Sequence, residues 1–238
     1  MNQTDISARI DPIPARKILP SHRSIRSRFP SLKGGRIISP ESTLERDFLL
    51  ICEFDINVAR YEEQPVHIDY ADGRDKQYYT PDVLVTYRSD ILPAMRMQPL
   101  LCEIKHWSDL KAEWPAVRRK WRAGRRYAAE HGWKFSVMTE REIRTPYLNN
   151  ARFLLPYRHW PLDTAQEQLL LDWMRELRSC DPRTLLAACF RNPRMQATLI
   201  PTLWRLLGYR QIWCDFSLPL TMESRIWDVD PELPGFAR

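Results

Sequence analysis

The feature that most constrains the fold is a change of hydrophobic period across residues 39–139. A capped amphipathic helix is predicted in SPESTLERDFLLICEF, where apolar residues recur at helical spacing. The segments that follow are predicted as three strands, a helix and a fourth strand: 58–70, 78–87, 99–105, 113–131 and 133–139. This order predicts a mixed α/β sandwich whose sheet is partly antiparallel.

Two of these predicted strands carry charges within otherwise apolar runs. In LLCEIKHW, Glu103 and Lys105 alternate with Cys102 and Ile104, so strand geometry turns both charges to one face. In YYTPDVLVTY, Asp82 opens an apolar strand directly after a proline. If the two strands are neighbours, Asp82, Glu103 and Lys105 converge at one end of the sheet.

Two close carboxylates repel each other strongly unless a cation lies between them. Mg²⁺ prefers oxygen ligands and takes one or two protein carboxylates, so Asp82 and Glu103 are the predicted metal ligands. Mn²⁺ accepts the same ligands. Lys105 is then placed to orient the attacking water and to offset charge on a phosphate. This combination favours metal-dependent phosphodiester hydrolysis. A Glu-x-Lys sequence alone, however, is also typical of an ordinary ion pair on a surface strand.

Glu45 lies at the border of the apolar face of the first helix. It is a candidate to join the acidic cluster, but Ser42 three residues earlier also makes it a capping-box glutamate. Glu41 is a neighbouring alternative. The sequence leaves these possibilities open.

Positive charge indicates a polyanionic partner, since the chain has a net charge of +6 and a pI of about 9.2. Residues 1–36 are predicted to form a basic arm. The predicted helix at 113–131 adds candidate DNA-phosphate contacts, with a solvated helix face as the alternative: Arg118, Arg119, Arg122, Arg125 and Arg126. Pro115 is predicted to interrupt any single helix through Trp107, Trp114 and Trp121.

The C-terminal part differs in pattern, with three predicted helices followed by two short strands. This predicts a small helical, winged-helix-like domain at 159–238 after a core domain at 37–158. The five cysteines show no CxxC spacing, which favours buried thiols in a reducing cytoplasm over a zinc site. No apolar run suits a membrane span.

The motifs together resemble the PD-(D/E)xK nucleases, since a PD pair precedes CEIK and the helix ERDFLLIC precedes both. Within that group, residues from about 29 to 156 closely resemble the TnsA endonuclease subunit of heteromeric transposases, and the ending GYRQIWCDFSLPLTMESRIW resembles the tail of many members. The resemblance implies a restriction-endonuclease-like α/β core with a mixed sheet. It also implies a catalytic set of Glu45, Asp82, Glu103 and Lys105.

By the same resemblance, a Mg²⁺-dependent endonuclease would cut the 5′ strand of double-stranded DNA at transposon ends. Its partners would be a TnsB-like DDE transposase and a TnsC-like AAA+ ATPase, in a bacterial cytoplasm and at the nucleoid when active. The chain has no GxxxxGK[ST] motif, so any use of ATP belongs to a partner. The alternatives are a stand-alone restriction or junction-resolving nuclease and a non-catalytic DNA-binding adaptor.

Overall fold

A computed structural model of the chain describes residues 29–31, 33–34, 37–38, 40–72, 75–90 and 97–229. The elements of the N-terminal part, in chain order, are β1 (Phe29–Pro30), β2 (Ile37–Ile38), α1 (Thr43–Phe54), β3 (Val58–Glu63), β4 (Ile68–Asp72), β5 (Asp75–Tyr79), β6 (Val83–Tyr87), β7 (Leu100–Ile104), α2 (Trp107–Glu130) and β8 (Lys134–Met138). Those of the C-terminal part are α3 (Glu140–Ile143), α4 (Pro146–Arg158), α5 (Thr164–Leu177), β9 (Ser179–Cys180), α6 (Pro182–Cys189), α7 (Pro193–Gly208), β10 (Ile212–Cys214) and β11 (Ile226–Asp228).

The central sheet has four strands in the order β3-β6-β7-β8. β6 is antiparallel to both β3 and β7, whereas β8 is parallel to β7. A parallel neighbour requires a crossover connection, and α2 provides it. The predicted mixed α/β architecture with a partly antiparallel sheet is therefore confirmed.

Helices cover both faces of this sheet because its strands alternate apolar side chains. On one face Cys102 packs in a cluster with Leu44 and Phe48 of α1. On the other face Leu101 packs with Val117 and Trp121 of α2. Alternation along β7 therefore turns Glu103 to the same face as Leu101, toward α2.

The predicted strands 58–70 and 78–87 are each divided in two. β3 pairs with β6, and β4 pairs with β5, so the segment forms one long hairpin with a break at 64–67 and 80–82. Gln64 has a φ of 49°, a left-handed conformation that extended strands do not contain. Opposite it, Pro81 lacks a donor for the ladder. The break leaves Asp82 where β6 begins.

The second long helix begins earlier than predicted, at Trp107 rather than near residue 113. It continues through Pro115 to Glu130, so the prediction that this proline interrupts the helix is wrong. A proline inside a helix costs about 3 kcal/mol, and tertiary contacts can exceed that cost. Before the proline, Leu110 packs on the α2 side of the sheet, and the Trp114 ring lies 6.0 Å from that of Trp121.

The C-terminal helices lie close to their predicted positions. Asp181 and Asn192 cap α6 and α7 through side-chain oxygens that accept backbone N–H bonds. The three-stranded sheet has the order β10-β11-β9, and its strand β9 at residues 179–180 was not predicted because it has only two residues.

One apolar cluster joins the C-terminal helices to the N-terminal part. It contains Phe54 of α1 and Leu154 of α4 together with Leu203 of α7. The guanidinium of Arg158 donates to the backbone oxygens of Gly208 at 2.8 Å and of Phe54 at 2.7 Å. Helix α4 was not predicted because its sequence mixes polar and apolar residues: Asn150 is buried, Phe153 is exposed and Pro156 lies inside the helix.

The predicted arm at 1–36 falls mostly outside the described residues. Among its described residues, Phe29 and Pro30 pair with Ile38 and Ile37. Lys33 follows and donates to the backbone oxygen of Cys52 at 3.1 Å. Within the described part of the chain, no helix combines the length and apolar content that a membrane span requires.

Candidate active site

Asp82 and Glu103 lie next to each other at the ends of neighbouring strands. The antiparallel register of β6 and β7 ends at the pair Val83–Cys102, and Asp82 and Glu103 are the next residue of each strand beyond it. The backbone N–H of Asp82 donates to the Cys102 oxygen at 3.0 Å, one residue out of this register, so the strand start is locally irregular. The two side chains are close enough for the Glu103 charge to raise the pKa of Asp82. Local sheet geometry therefore brings these two carboxylates together.

The Asp82 carboxylate is anchored by the neighbouring strand. Its Oδ2 accepts a hydrogen bond of 2.6 Å from the backbone N–H of Ile104. Burial raises the pKa of Asp82 well above its usual value, and the charges of Glu103 and Glu45 raise it further. These causes indicate a cluster of like charges that a cation would stabilise.

Glu103 is 6% exposed and uses both carboxylate oxygens. Oε2 accepts from the Tyr79 hydroxyl at 2.7 Å, and Oε1 accepts from Nζ of Lys120 at 2.8 Å. The same ammonium lies 5.1 Å from the centre of the Tyr79 ring. Burial and the adjacent Glu103 charge raise the pKa of Tyr79, which keeps its hydroxyl a proton donor. Tyr79 and Lys120 thus fix the orientation of Glu103.

Glu45 lies in the first turn of α1, and its charge acts on the site by raising the pKa of Asp82. Its Oε2 accepts from the backbone N–H of Glu41 at 2.9 Å, and its own N–H donates to Oγ of Ser42 at 3.1 Å. Burial raises the pKa of Glu45 to about 7, and the charges of Glu41 and Glu63 act in the same direction. Ser42 therefore caps α1, but the predicted capping box is not closed, because the Glu45 carboxylate accepts from Glu41 and not from the backbone N–H of Ser42.

Lys105 is not brought onto the carboxylates. It follows the last residue of β7, its backbone N–H donates to the Met138 oxygen at 3.0 Å, and its Nζ lies 2.5 Å from Oε2 of Glu113. Glu103 and Lys105 both contact α2, but through different residues: Lys120 binds Glu103, and Glu113 binds Lys105. The cation on Glu103 is Lys120 instead.

Sequence reasoning missed Tyr79 and Lys120, although one of them left a signal. Lys120 lies three residues after Val117 and four before Gly124, which are both buried. Helical spacing therefore places Lys120 on the buried face of α2, while the other basic residues near it are exposed. Tyr79 left no such signal, because its position depends on the break in the hairpin. The five predicted DNA-contacting arginines are exposed on the same helix: Arg118, Arg119, Arg122, Arg125 and Arg126.

The carboxylates suit a divalent ion held by few protein ligands. Within the described residues, no group of three or more His, Cys, Asp or Glu side chains is arranged to hold a metal. Asp82 and Glu103 nevertheless supply two neighbouring carboxylates, and burial together with the Glu103 charge raises the pKa of Asp82. Mg²⁺ is commonly bound by one or two carboxylates, with water completing its shell, so this donor set fits.

A mixed sheet between two helices, with neighbouring carboxylates at the ends of adjacent strands, is consistent with the PD-(D/E)xK nucleases. Residues 55–140 match the family model of the TnsA-like endonuclease N terminal. This part of the chain is therefore a TnsA-like endonuclease domain, and the resemblance predicted from the motifs is confirmed. The matched segment contains Asp82, Glu103 and Lys105, whereas Glu45 precedes it. A comparison with curated proteins gave no match.

Proposed function

We propose that this chain is the metal-dependent DNA endonuclease subunit of a transposase and that it cuts the 5′ strand at transposon ends. The observation that carries the proposal is the proximity of the Asp82 and Glu103 carboxylates within a TnsA-like endonuclease domain. Mg²⁺, or Mn²⁺ in its place, fits the two carboxylates. When bound there, such an ion supplies Lewis-acid activation of water and neutralises charge on the phosphate.

The residues of the chain would divide the remaining tasks. The Ile104 N–H orients Asp82, while Tyr79 orients Glu103. Glu45, with a pKa of about 7, can hold or release a proton at its carboxylate near neutral pH.

Lys105 would act on the phosphate only after its ammonium leaves Glu113. That pair is accessible enough to exchange, because the Glu113 side chain is 53% exposed. An exposed ion pair contributes about 0–1 kcal/mol, so a DNA phosphate can compete for the lysine.

The basic face of α2 supports a role in binding DNA backbone. The five arginines named above are exposed on a helix whose buried stripe carries Lys120 next to Glu103. Phosphate contacts position a duplex without reading its sequence. A partner that recognises the transposon ends would therefore direct this subunit, and we assign that role to a TnsB-like DDE transposase.

The C-terminal part, 159–238, is proposed as a winged-helix-like domain that docks partner proteins. Its order of helix, strand, two helices and two strands, with β11 between β10 and β9, supports this assignment. The later turns of α7 are buried, with Leu203 and Leu207 in the core shared with α4. This burial favours protein docking over groove reading, and a TnsC-like AAA+ ATPase is the proposed partner.

The proposal is tested with purified full-length chain, DNA carrying the transposon ends, and the reconstituted partner proteins. Wild type should produce Mg²⁺-dependent 5′-strand nicks that EDTA abolishes. Asp82→Asn should remove nicking while retaining DNA binding, because it removes one metal ligand and leaves the basic face of α2 intact. Nicking by Asp82→Asn at the wild-type rate would refute the proposed site.

A Lys105→Ala variant separates an enzyme from a non-catalytic adaptor. For an enzyme, nicking should fall by about a hundredfold or more, the usual scale for a group that stabilises charge in the transition state. An adaptor that only assembles the complex would support the same nicking with alanine at this position. Cutting of a defined sequence by the chain alone would instead indicate a stand-alone nuclease.

A further inference from the structure

The Lys120 ammonium binds one of the two carboxylates that we assign as metal ligands. Its Nζ lies 2.8 Å from Oε1 of Glu103. A positive charge therefore already lies against an oxygen that a divalent ion would need. The motif lysine, Lys105, is engaged elsewhere, on Glu113.

The surroundings of Lys120 hold it in this position. The side chain is 26% exposed, and its ammonium packs 5.1 Å from the centre of the Tyr79 ring and 6.0 Å from that of Trp121. Tyr79 binds the other oxygen of Glu103. An ammonium held over two rings and bound to a buried carboxylate forms a defined resting state, in contrast to a freely moving surface lysine.

We propose that Lys120 is a built-in competitor of the divalent cation, holding Glu103 in the metal-free protein and yielding its oxygen when the ion enters. The inference rests on the proposed metal-dependent function. Glu103 Oε1 cannot coordinate an ion at full strength while it also accepts from the ammonium. The positive charge of Lys120 further repels a dication beside it. Metal affinity is therefore set below what the two carboxylates alone would give.

The position of Lys120 on α2 suggests what would favour its release. The exposed arginines Arg119 and Arg122 lie on the same turns of the helix as Lys120. DNA phosphates drawn to this helix would offer the lysine an alternative anionic partner. DNA and metal would then bind cooperatively, since each binding event removes a cost of the other.

The test measures Mn²⁺ binding to the full-length chain by electron paramagnetic resonance of free Mn²⁺, without DNA and without any assay of cleavage. Lys120→Met keeps most of the side-chain stem and removes the charge. It should bind Mn²⁺ roughly tenfold more tightly than wild type, the equilibrium equivalent of removing one part-buried ion pair. Lys120→Arg keeps the charge and should bind as wild type does.

Two controls locate the effect. Lys111→Met makes the same substitution on the same helix, but that ammonium packs on the Trp107 ring 5.3 Å away, so Mn²⁺ affinity should not change. Asp82→Asn should abolish the binding measured in both wild type and Lys120→Met. Circular dichroism melting of each variant checks that the fold is retained.

The outcomes separate this inference from the proposed function. Binding that depends on Asp82 but is unchanged or weaker in Lys120→Met overturns the competition and makes Lys120 a support for Glu103 only. Absence of Asp82-dependent Mn²⁺ binding in wild type and in Lys120→Met overturns the metal site, and the competition with it. A second readout is that added duplex DNA should tighten Mn²⁺ binding in wild type and have a smaller effect in Lys120→Met.

Discussion

Replacing Glu45 with glutamine should make the protein more stable at neutral pH and leave its stability at acid pH almost unchanged. Burial raises the pKa of this carboxyl from 4.5 to about 7 in the folded protein. The folded state therefore holds the proton more tightly than the unfolded state does. Wild-type stability contributed by Glu45 is fully present below about pH 4.5 and is lost as the pH rises toward 7.

The size of the stability difference follows from the shift of the Glu45 pKa from 4.5 to about 7. At 1.36 kcal/mol per pH unit, the full shift corresponds to about 3 kcal/mol, and screening at a part-exposed site reduces it to about 1–3 kcal/mol. Glutamine carries no charge, so the variant avoids this cost above pH 7. Removing the Glu45 charge also lowers the pKa of Asp82, which adds to the gain in the same direction.

The assay is urea denaturation of the metal-free protein in EDTA across pH 4.5–8. The difference in unfolding free energy between Glu45→Gln and wild type should grow by about 1–3 kcal/mol, chiefly between pH 5 and 7. Asp90→Asn is the control, because hydrogen bonds from Arg88 lower the pKa of Asp90 to about 2, outside this range. A pH-independent difference for Glu45→Gln would refute the reasoning.

Two further predictions concern α2. Charge reversal at Arg118 and Arg122 should weaken DNA association and reduce the slope of log association constant against log salt concentration by about 2–4. An unchanged slope in DNA-binding titrations at several salt concentrations would show that these arginines do not contact DNA phosphates. Gly124→Ala should destabilise the protein by about 1–2 kcal/mol in thermal or urea unfolding despite its better helix propensity. The reason is steric, because the added Cβ would lie 2.8 Å from a Phe135 ring carbon and 2.9 Å from a Tyr79 ring carbon. If the alanine variant were instead more stable than wild type, α2 would be able to move away from the sheet to make room for the methyl group.

The sequence predicted those parts of the site that depend on neighbouring strands. A proline-aspartate strand start and an alternating pattern predict Asp82 and Glu103, and both lie directly beyond the last pair of the β6–β7 register. Strand order could be inferred because consecutive strands in a sheet tend to be adjacent.

The partners of the charged groups could not be predicted in the same way. Glu113 and Lys120 both lie on α2, and which site residue each meets depends on how far the helix extends and how it packs on the sheet. The beginning of α2 was misplaced because Pro115 is a strong local signal, and tertiary packing overrode it. Local rules thus located the acidic residues but not the lysine that binds Glu103.

The apolar cluster that Phe54 and Leu154 share with the C-terminal helices has a consequence for evolution. A segment with its own core can be exchanged between relatives by recombination, as a self-contained block. Here a crossover near residue 159 would separate Arg158 from the Gly208 carbonyl and would leave the α4 surface facing an unmatched neighbour. Substitutions in the C-terminal part therefore require matching substitutions at the end of α1 and in α4, although neither of these two helices has a proposed role in docking partners.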